Sequence, residues 1–131
     1  MPTIFTKIIN REIPGYIVAE DDNYIAFLDI MPLVKGHLLV VPKQETDYIF
    51  DLEEEIFTGL QLFARKVALA LKRAIPCERI GLAVIGLEVP HVHIHLVPLN
   101  SMDDINFSRP KLKLNEQELT AIAQRIKTEM P

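Results

Sequence analysis

Pro90-His91-Val92-His93-Ile94-His95-Leu96-Val97-Pro98 is the stretch of sequence from which the fold can be worked out. Histidine and aliphatic residues alternate through it, which is the period of a β-strand with one polar and one apolar face. The pattern therefore predicts a strand with the imidazoles on one face and the aliphatic side chains on the other. Pro90 and Pro98 are expected to bracket this strand, because a proline cannot donate to the hydrogen bonds of a central ladder.

The alternating histidines are His91, His93 and His95, all but one of the chain's 4 histidines. A single histidine on an apolar strand is usually a hydrogen-bonded core residue. Three in alternation are costly to bury without partners, and imidazoles titrate near neutral pH. Two chemistries fit such a row: a metal site, since His-x-His on a strand can place two nitrogens on one zinc ion, and nucleophilic or acid–base chemistry on phosphate. The rest of the chain favours chemistry on phosphate over a metal site.

Composition limits the other possibilities. The 131 residues predict one globular domain, with 49% hydrophobic and 24% charged residues. A net charge of −4 gives no general attraction to nucleic acid, so no nucleic-acid polymer is expected as a partner. Cys77 is the only cysteine, which excludes an intrachain disulfide and a cysteine-based zinc cluster. No signal-peptide pattern and no apolar run of the ~20 residues that a membrane span needs is present, so a cytoplasmic protein is expected.

Hydrophobic periodicity and turn residues predict an α+β domain with a five-stranded, mainly antiparallel sheet. One long helix would cover one face of the sheet and leave the other face as a binding surface. Asp51 and Glu54 are interpreted as the capping box of that helix, and Asn115 with Glu118 as the cap of a last helix. The predicted elements are a short N-terminal helix from Ile4 to Ile9, strands over 16–20, 24–28, 38–41 and 79–85, the long helix over about 52–75, the histidine strand, and a C-terminal helical tail.

The sequence contains four ordered blocks: residues 4–14, 20–30, 36–43 and the histidine motif over 91–97. Together they resemble the histidine triad (HIT) family, and within it the small single-domain phosphoramidases and dinucleoside polyphosphate hydrolases. The resemblance covers residues 4–98 and implies a HIT-like fold over residues 1–100. Residues 101–131 match no family motif and are interpreted as a C-terminal extension that packs on the same domain or on a dimer partner.

The resemblance also implies roles for the four histidines. His93 matches the nucleophile, which would attack the α-phosphorus of a purine nucleotide derivative and give a nucleotidyl-histidine that water cleaves. Its other ring nitrogen would donate to the backbone carbonyl of His91. His95 matches the histidine on the phosphate and leaving-group side, where its protonated form would stabilise developing charge. His91 and His37 match a hydrogen-bonded pair behind the site; structural pairing without direct chemistry is the alternative.

Further positions match the family's nucleotide site. Asp29 matches the carboxylate that accepts hydrogen bonds from the ribose hydroxyls, with a turn-capping aspartate as the alternative. An apolar slot would sandwich the purine, although core packing explains each of its residues equally well. No metal and no other cofactor is required. The slot positions are Ile4, Phe5, Ile8, Phe27, Leu28 and Ile30.

The chain departs from the family pattern just before the histidine motif, where the loop is shortened to residues 85–89. Leu87 and Glu88 replace the glutamine and hydroxyl residues that donate hydrogen bonds to phosphate or leaving group in the family. Leucine cannot donate, and an ionised glutamate repels an anion. Glu88 and Val89 are therefore assigned to the phosphate and leaving-group end, with two alternatives for Glu88: it points away, or it binds a cationic or amine-bearing leaving group.

These departures keep two other functions open. The chain could be a nucleotide-binding regulatory module that has lost efficient catalysis through Leu87 and Glu88. It could also be a metal-binding protein that uses His91, His93 and His95. The complete set of histidines favours the enzyme, because binding alone does not need a nucleophile.

The long helix also predicts a homodimer. It carries apolar residues beyond the stripe that faces the core, and a helix that is apolar over much of its circumference needs two packing partners. Relatives of this size pair through this helix and an edge of the sheet. The additional apolar residues are Leu62, Ala64, Ala68 and Leu69.

Overall fold

The structure, a computed structural model, describes residues 2–131. It confirms the α+β class: a 5-stranded sheet in the order β1-β2-β3-β5-β4, with every neighbouring pair antiparallel. The elements are α1 (Ile4–Ile9), β1 (Ile17–Glu20), β2 (Tyr24–Leu28), β3 (Leu38–Pro42), α2 (Glu54–Ala74), β4 (Arg79–Ala83), β5 (Ile94–Leu99) and α3 (Glu116–Glu129), with short 3-10 helices at Ile49–Asp51 and Met102–Ile105.

The central strands β2 and β3 are buried on both faces, which explains their continuous apolar sequences. Ala26 and Val40 point into the main core beneath α2 and α3. Phe27 and Leu39 point to the opposite face, into a smaller apolar cluster with Phe5 of α1. The sheet therefore separates a structural core from a second apolar layer, and the candidate site lies on that second layer.

The histidine stretch differs from the predicted strand at both ends. β5 begins at Ile94, so His91 and His93 lie in the segment before the strand, with a bend at His91. Pro98 does not end the strand but pairs with Ile80 of β4. β3 pairs only with residues 94–96 of β5, so a proline beyond them removes no hydrogen bond to β3.

The predicted capping box of α2 is wrong. The helix is capped by Glu53, which makes no side-chain cap bond, while Asp51 ends the preceding 3-10 helix. The extended backbone of Leu52 separates the two helices, so the Asp51 side chain is not at the cap position. Glu54 and Glu55 still place negative charge on the first turn, where the helix dipole favours it.

The outer surface of α2 is less apolar than predicted. Ala64 is only 1% exposed and belongs to the main core. Leu62 and Leu69 are 58% and 46% exposed, so they do face outward. β4 is one of the two edge strands of the sheet, with β1 at the other edge. It ends at Ala83 rather than Ile85 because the chain leaves the sheet for the loop before the histidine motif. Within residues 2–131 no helix has the length and apolarity that crossing a membrane requires.

The C-terminal segment adds α3 to the main core. Asn115 and Glu118 form the expected capping box, each side chain accepting from the other residue's backbone N–H. Four apolar side chains of α3 are buried in the cluster that α2 covers. They are Leu119, Ile122, Ala123 and Ile126.

We predict that Ile126→Ala lowers the free energy of unfolding by about 2–5 kcal/mol, the usual cost of removing a large buried aliphatic side chain. Ile126 is 0% exposed. Urea unfolding followed by circular dichroism measures the change, and Thr120→Ala on the exposed face of the same helix is the control. Equal stability of the two variants would show that α3 does not contribute to the main core.

Candidate functional site

An apolar slot of about 270 Å³ opens on the face of the sheet opposite α2. Phe5 of α1 packs against Phe27 of β2 with ring centroids 5.6 Å apart, and this pair forms its floor. The slot contains all of the predicted nucleotide-binding residues: Ile4, Phe5, Ile8, Phe27, Leu28, Asp29 and Ile30. Glu88, Val89, His93 and His95 also line it.

Four residues that were not predicted from the sequence also line the slot. Ile13, Pro14 and Gly15 follow α1, and Leu39 lies in β3. A Cβ on Gly15 would come within 2.6 Å of the Ile8 side chain, so the absence of a side chain lets this segment lie against α1. Leu39 could have been predicted, because it alternates along β3 with Leu38 and Val40, which face the main core.

A second cleft, of about 230 Å³, continues from the slot past the histidines. Asp29, Glu88, His93 and His95 line both spaces, so the two form one elongated site with the histidines at their junction. The slot is lined mainly by apolar side chains, and the cleft adds His37 and Lys111 to the polar residues that the two spaces share. The cleft alone is lined by His37, Ile85, Gly86, Leu87, Phe107 and Lys111.

His93 has one ring nitrogen held by the backbone and one that is free. Its Nδ1 lies 2.7 Å from the carbonyl oxygen of His91, the bond expected from the family resemblance. A carbonyl only accepts, so Nδ1 carries the proton and Nε2 of the neutral ring has a lone pair. Nε2 makes no hydrogen bond within residues 2–131. The edge of the Phe5 ring packs against the imidazole at 5.0 Å and limits its rotation.

His95 is oriented by His37, and backbone geometry determines the tautomer of both rings. The Leu33 N–H donates to His37 Nδ1 at 3.0 Å, so the neutral His37 carries its proton on Nε2. His37 Nε2 lies 2.9 Å from His95 Nδ1 and donates to it. His95 therefore holds its own proton on Nε2. Gly36, with φ of 95°, makes the turn that brings His37 into place.

The predicted pair of His91 with His37 is wrong. His91 Nε2 donates to the Pro42 carbonyl at 2.8 Å, and its Nδ1 lies 2.8 Å from Thr3 Oγ1. Thr3 is also the N-cap of α1, and its backbone N–H donates to Glu45 at 2.9 Å. His91 thus ties β3 to α1, while His37 belongs to the chemistry side with His95. The alternation predicted that the three histidines share a face, but the side-chain partners of His91 and His95 come from distant segments.

Burial keeps the inner histidines neutral. It lowers the pKa of His95 to about 4 and that of His37 to about 3, with the nearby charge of Lys111 contributing in each case. The pKa of His91 is also lowered, chiefly by burial. His95 therefore differs from the protonated form expected from the sequence: in the free chain at neutral pH it is an uncharged donor. Burial raises the pKa of Asp29.

The metal ligands considered from the sequence do not converge. His91 and the Nδ1 of His93 already bond backbone or hydroxyl groups. Ligand atoms of Asp29, His37 and His95 instead lie within 4.8 Å of one another. Both ring nitrogens of His37 are already hydrogen-bonded, Nδ1 to the Leu33 N–H and Nε2 to His95 Nδ1, so His37 has no free nitrogen for a metal.

The shortened loop and the C-terminal segment form the outer walls of the cleft. Leu87 is 89% exposed, and Glu88 is exposed while touching both parts of the site. Phe107 packs edge-on against His95 at 4.8 Å, and Lys111 faces the same cleft. Neither residue was predicted as part of the site, because the polar segment that carries them has no hydrophobic period.

The buried pair of histidines predicts acid sensitivity. Between pH 6.5 and 4 the unfolded chain binds more protons than the folded chain, because the folded pKa values of His37 and His95 lie well below 6.5. The contribution of these two histidines to the free energy of unfolding is therefore fully present above pH 6.5 and is lost as the pH falls. We expect His37→Asn, whose amide oxygen can still accept from Leu33, to weaken this dependence. Urea unfolding at pH 7.5, 6 and 5 measures it, and equal slopes in the two proteins would contradict it.

Comparison with known proteins gives the family. The HIT domain family model matches residues 10–102. An uncharacterized HIT-like protein of Borreliella burgdorferi is 35% identical over 94% of each chain. Adenosine 5'-monophosphoramidase HNT1 of Saccharomyces cerevisiae is 37% identical over 72% of this chain and 61% of its own.

Solved structures agree with the fold. A HIT-like protein from Bartonella henselae, described as involved in cell-cycle regulation, superposes with a TM-score of 0.84 at 30% identity, covering 97% of this chain and 95% of its own. A zinc-bound histidine triad family protein from Mycobacterium smegmatis has a TM-score of 0.79 at 22% identity, covering 97% and 91%, and shares the fold. The four ordered sequence blocks, the sheet and the matches together show that the chain belongs to the HIT family.

Proposed function

We propose that the protein cleaves a purine nucleotide derivative at its α-phosphate through a nucleotidyl intermediate on His93. The substrate class is a phosphoramidate, an adenylated amine or a dinucleoside polyphosphate. One observation carries the proposal: His93, whose Nε2 makes no hydrogen bond within residues 2–131, lines both the apolar slot and the adjoining cleft. Family membership and the phosphoramidase relative support a hydrolase.

In the first step, the lone pair of His93 Nε2 forms a bond to the α-phosphorus and the bond from phosphorus to the leaving group breaks. The proton on Nδ1 stays in its bond to the His91 carbonyl, so the phosphorylated ring is cationic and remains a good leaving group. His95 keeps its single proton on Nε2, because the lone pair of its Nδ1 accepts from His37. The Nε2–H donates a hydrogen bond to the departing atom and stabilises the charge that develops there, and solvent supplies the proton that an amine leaving group takes up.

In the second step, water attacks the same phosphorus and the bond to Nε2 breaks. The proton of the water passes to solvent, and His93 returns to its starting tautomer. His37 holds the Nδ1 side of His95 throughout, so that Nε2 faces the reacting groups. The products are the nucleoside monophosphate and the free leaving group.

The slot is proposed to bind the base. Its aromatic floor of Phe5 and Phe27 offers the stacking and apolar contact that a purine needs. Asp29 lies at the junction with the cleft, which is the position of a ribose between base and phosphate. One Asp29 oxygen accepts from the Met31 backbone N–H, and the other remains for a ribose hydroxyl.

We predict that His93→Ala reduces turnover of adenosine 5'-phosphoramidate by roughly a thousandfold or more, the scale of losing a catalytic nucleophile. AMP affinity should change by less than about threefold, because the slot is intact. With a slow substrate, mass spectrometry after mild alkaline denaturation should detect one nucleoside monophosphate on the wild type and none on the variant. Full activity of His93→Ala would exclude this mechanism.

We also propose that two chains pair through α2 and the edge strand β4. Leu62 and Leu69 on α2 and Leu82 on β4 are each about half exposed, and β4 has one unpaired edge in the described chain. Light scattering should give twice the 14.9 kDa chain mass. Leu62→Glu with Leu69→Glu should yield the single-chain mass, while Thr120→Glu with Gln124→Glu on exposed α3 should not. A wild type of single-chain mass would contradict pairing.

A further inference from the structure

We propose that Lys111, in the C-terminal segment, is the binding residue for an anionic leaving group. The proposal rests on the proposed function, because it assigns the group that departs from the α-phosphate. Lys111 would then determine specificity, favouring leaving groups that carry phosphate or carboxylate over uncharged ones.

The cleft needs a positively charged residue to bind an anionic leaving group. Among its lining residues, Asp29 and Glu88 carry carboxyl groups and the inner histidines are neutral at neutral pH. Without Lys111 the carboxyl groups of the cleft would repel the phosphate of an anionic leaving group. Lys111 is the one lining residue within the described chain that carries a permanent positive charge.

Lys111 is held in position rather than free in solvent. Its Nζ donates to the Phe107 carbonyl at 2.7 Å and lies 3.4 Å from the Arg109 carbonyl. An ammonium has three N–H donors, so at least one remains for a ligand. The neighbouring Leu112 N–H donates to the Pro32 carbonyl at 2.8 Å, which ties this segment to the loop before His37.

The position of Lys111 separates leaving group from nucleotide. His93 and His95 line both slot and cleft, whereas Lys111 lines only the cleft. With the base in the slot and the α-phosphate at the histidines, Lys111 reaches what lies beyond the α-phosphate. It thereby supplies a donor that the shortened loop lacks, since Leu87 offers none and its side chain is 89% exposed.

Binding of AMP and ADP to Lys111→Gln tests this without any turnover, by isothermal titration calorimetry. The β-phosphate of ADP represents the anionic leaving group. We expect ADP affinity to fall about tenfold or more, as for loss of one charge-assisted hydrogen bond, and AMP affinity to fall less than about threefold. Lys111→Arg should restore the preference in part, and Lys113→Gln, an exposed lysine of the same segment, should leave it unchanged.

Steady-state kinetics with two substrates provide a second test. In Lys111→Gln, kcat/KM should fall about tenfold or more for diadenosine tetraphosphate and by less than about threefold for adenosine 5'-phosphoramidate. Equal losses for AMP and ADP, or no loss for either, overturn the assignment of Lys111. Absence of turnover in the wild type would instead overturn the proposed function, while the ADP-to-AMP ratio would still decide the role of Lys111.

Discussion

The structure depends on the register of β5 in the sheet. Ile94 and Leu96 are buried in the core beneath α2, and His95 between them lies on the opposite face beside Leu39. Because side chains alternate along a strand, a slip by one residue would drive the imidazoles into the core and expose the aliphatic residues. Burial of those aliphatic side chains therefore keeps the histidines on the opposite face of the sheet. The same contacts stabilise the fold and orient the histidines toward the site.

Burying four histidines is possible because each has a partner. Backbone groups determine the protonation pattern: the Leu33 N–H, the Pro42 carbonyl and the His91 carbonyl each bond one ring nitrogen. No buried side-chain nitrogen or oxygen lacks a hydrogen bond within residues 2–131. Rigid backbone donors and acceptors leave His93 with a free lone pair and His95 with a free N–H, the two complementary groups that phosphoryl transfer to an imidazole needs.

The C-terminal segment joins the core and the site. α3 packs with α2 in the main core, and the segment before it runs past the loop that carries Leu33. Arg109 donates to the Leu33 carbonyl at 3.2 Å and pairs with Asp103. Phe107 covers His95, which adds to the burial that lowers its pKa. A part of the chain outside the matched family region thus shapes the environment of a family residue.

Much of this protein follows from local sequence alone. The alternation over residues 90–98 predicted one polar and one apolar face, and the capping pair Asn115 and Glu118 predicted the start of α3. These features depend on neighbours in sequence, where the period of a strand or the geometry of a cap leaves few alternatives. The slot residues were found through the family blocks, since their apolar character alone does not distinguish a ligand slot from a core.

Only the tertiary structure decided how these parts are paired. His37 bonds His95, 58 residues away, instead of His91, and Lys111 reaches the cleft from a polar segment without a period. Asp51 likewise does not cap α2 as predicted, because it ends a 3-10 helix that precedes α2. Such contacts depend on the paths of loops and on packing between remote segments, which no local pattern encodes. The sequence alone determined which faces are polar and which apolar, and the folding of distant segments against each other decided the partner of each polar group.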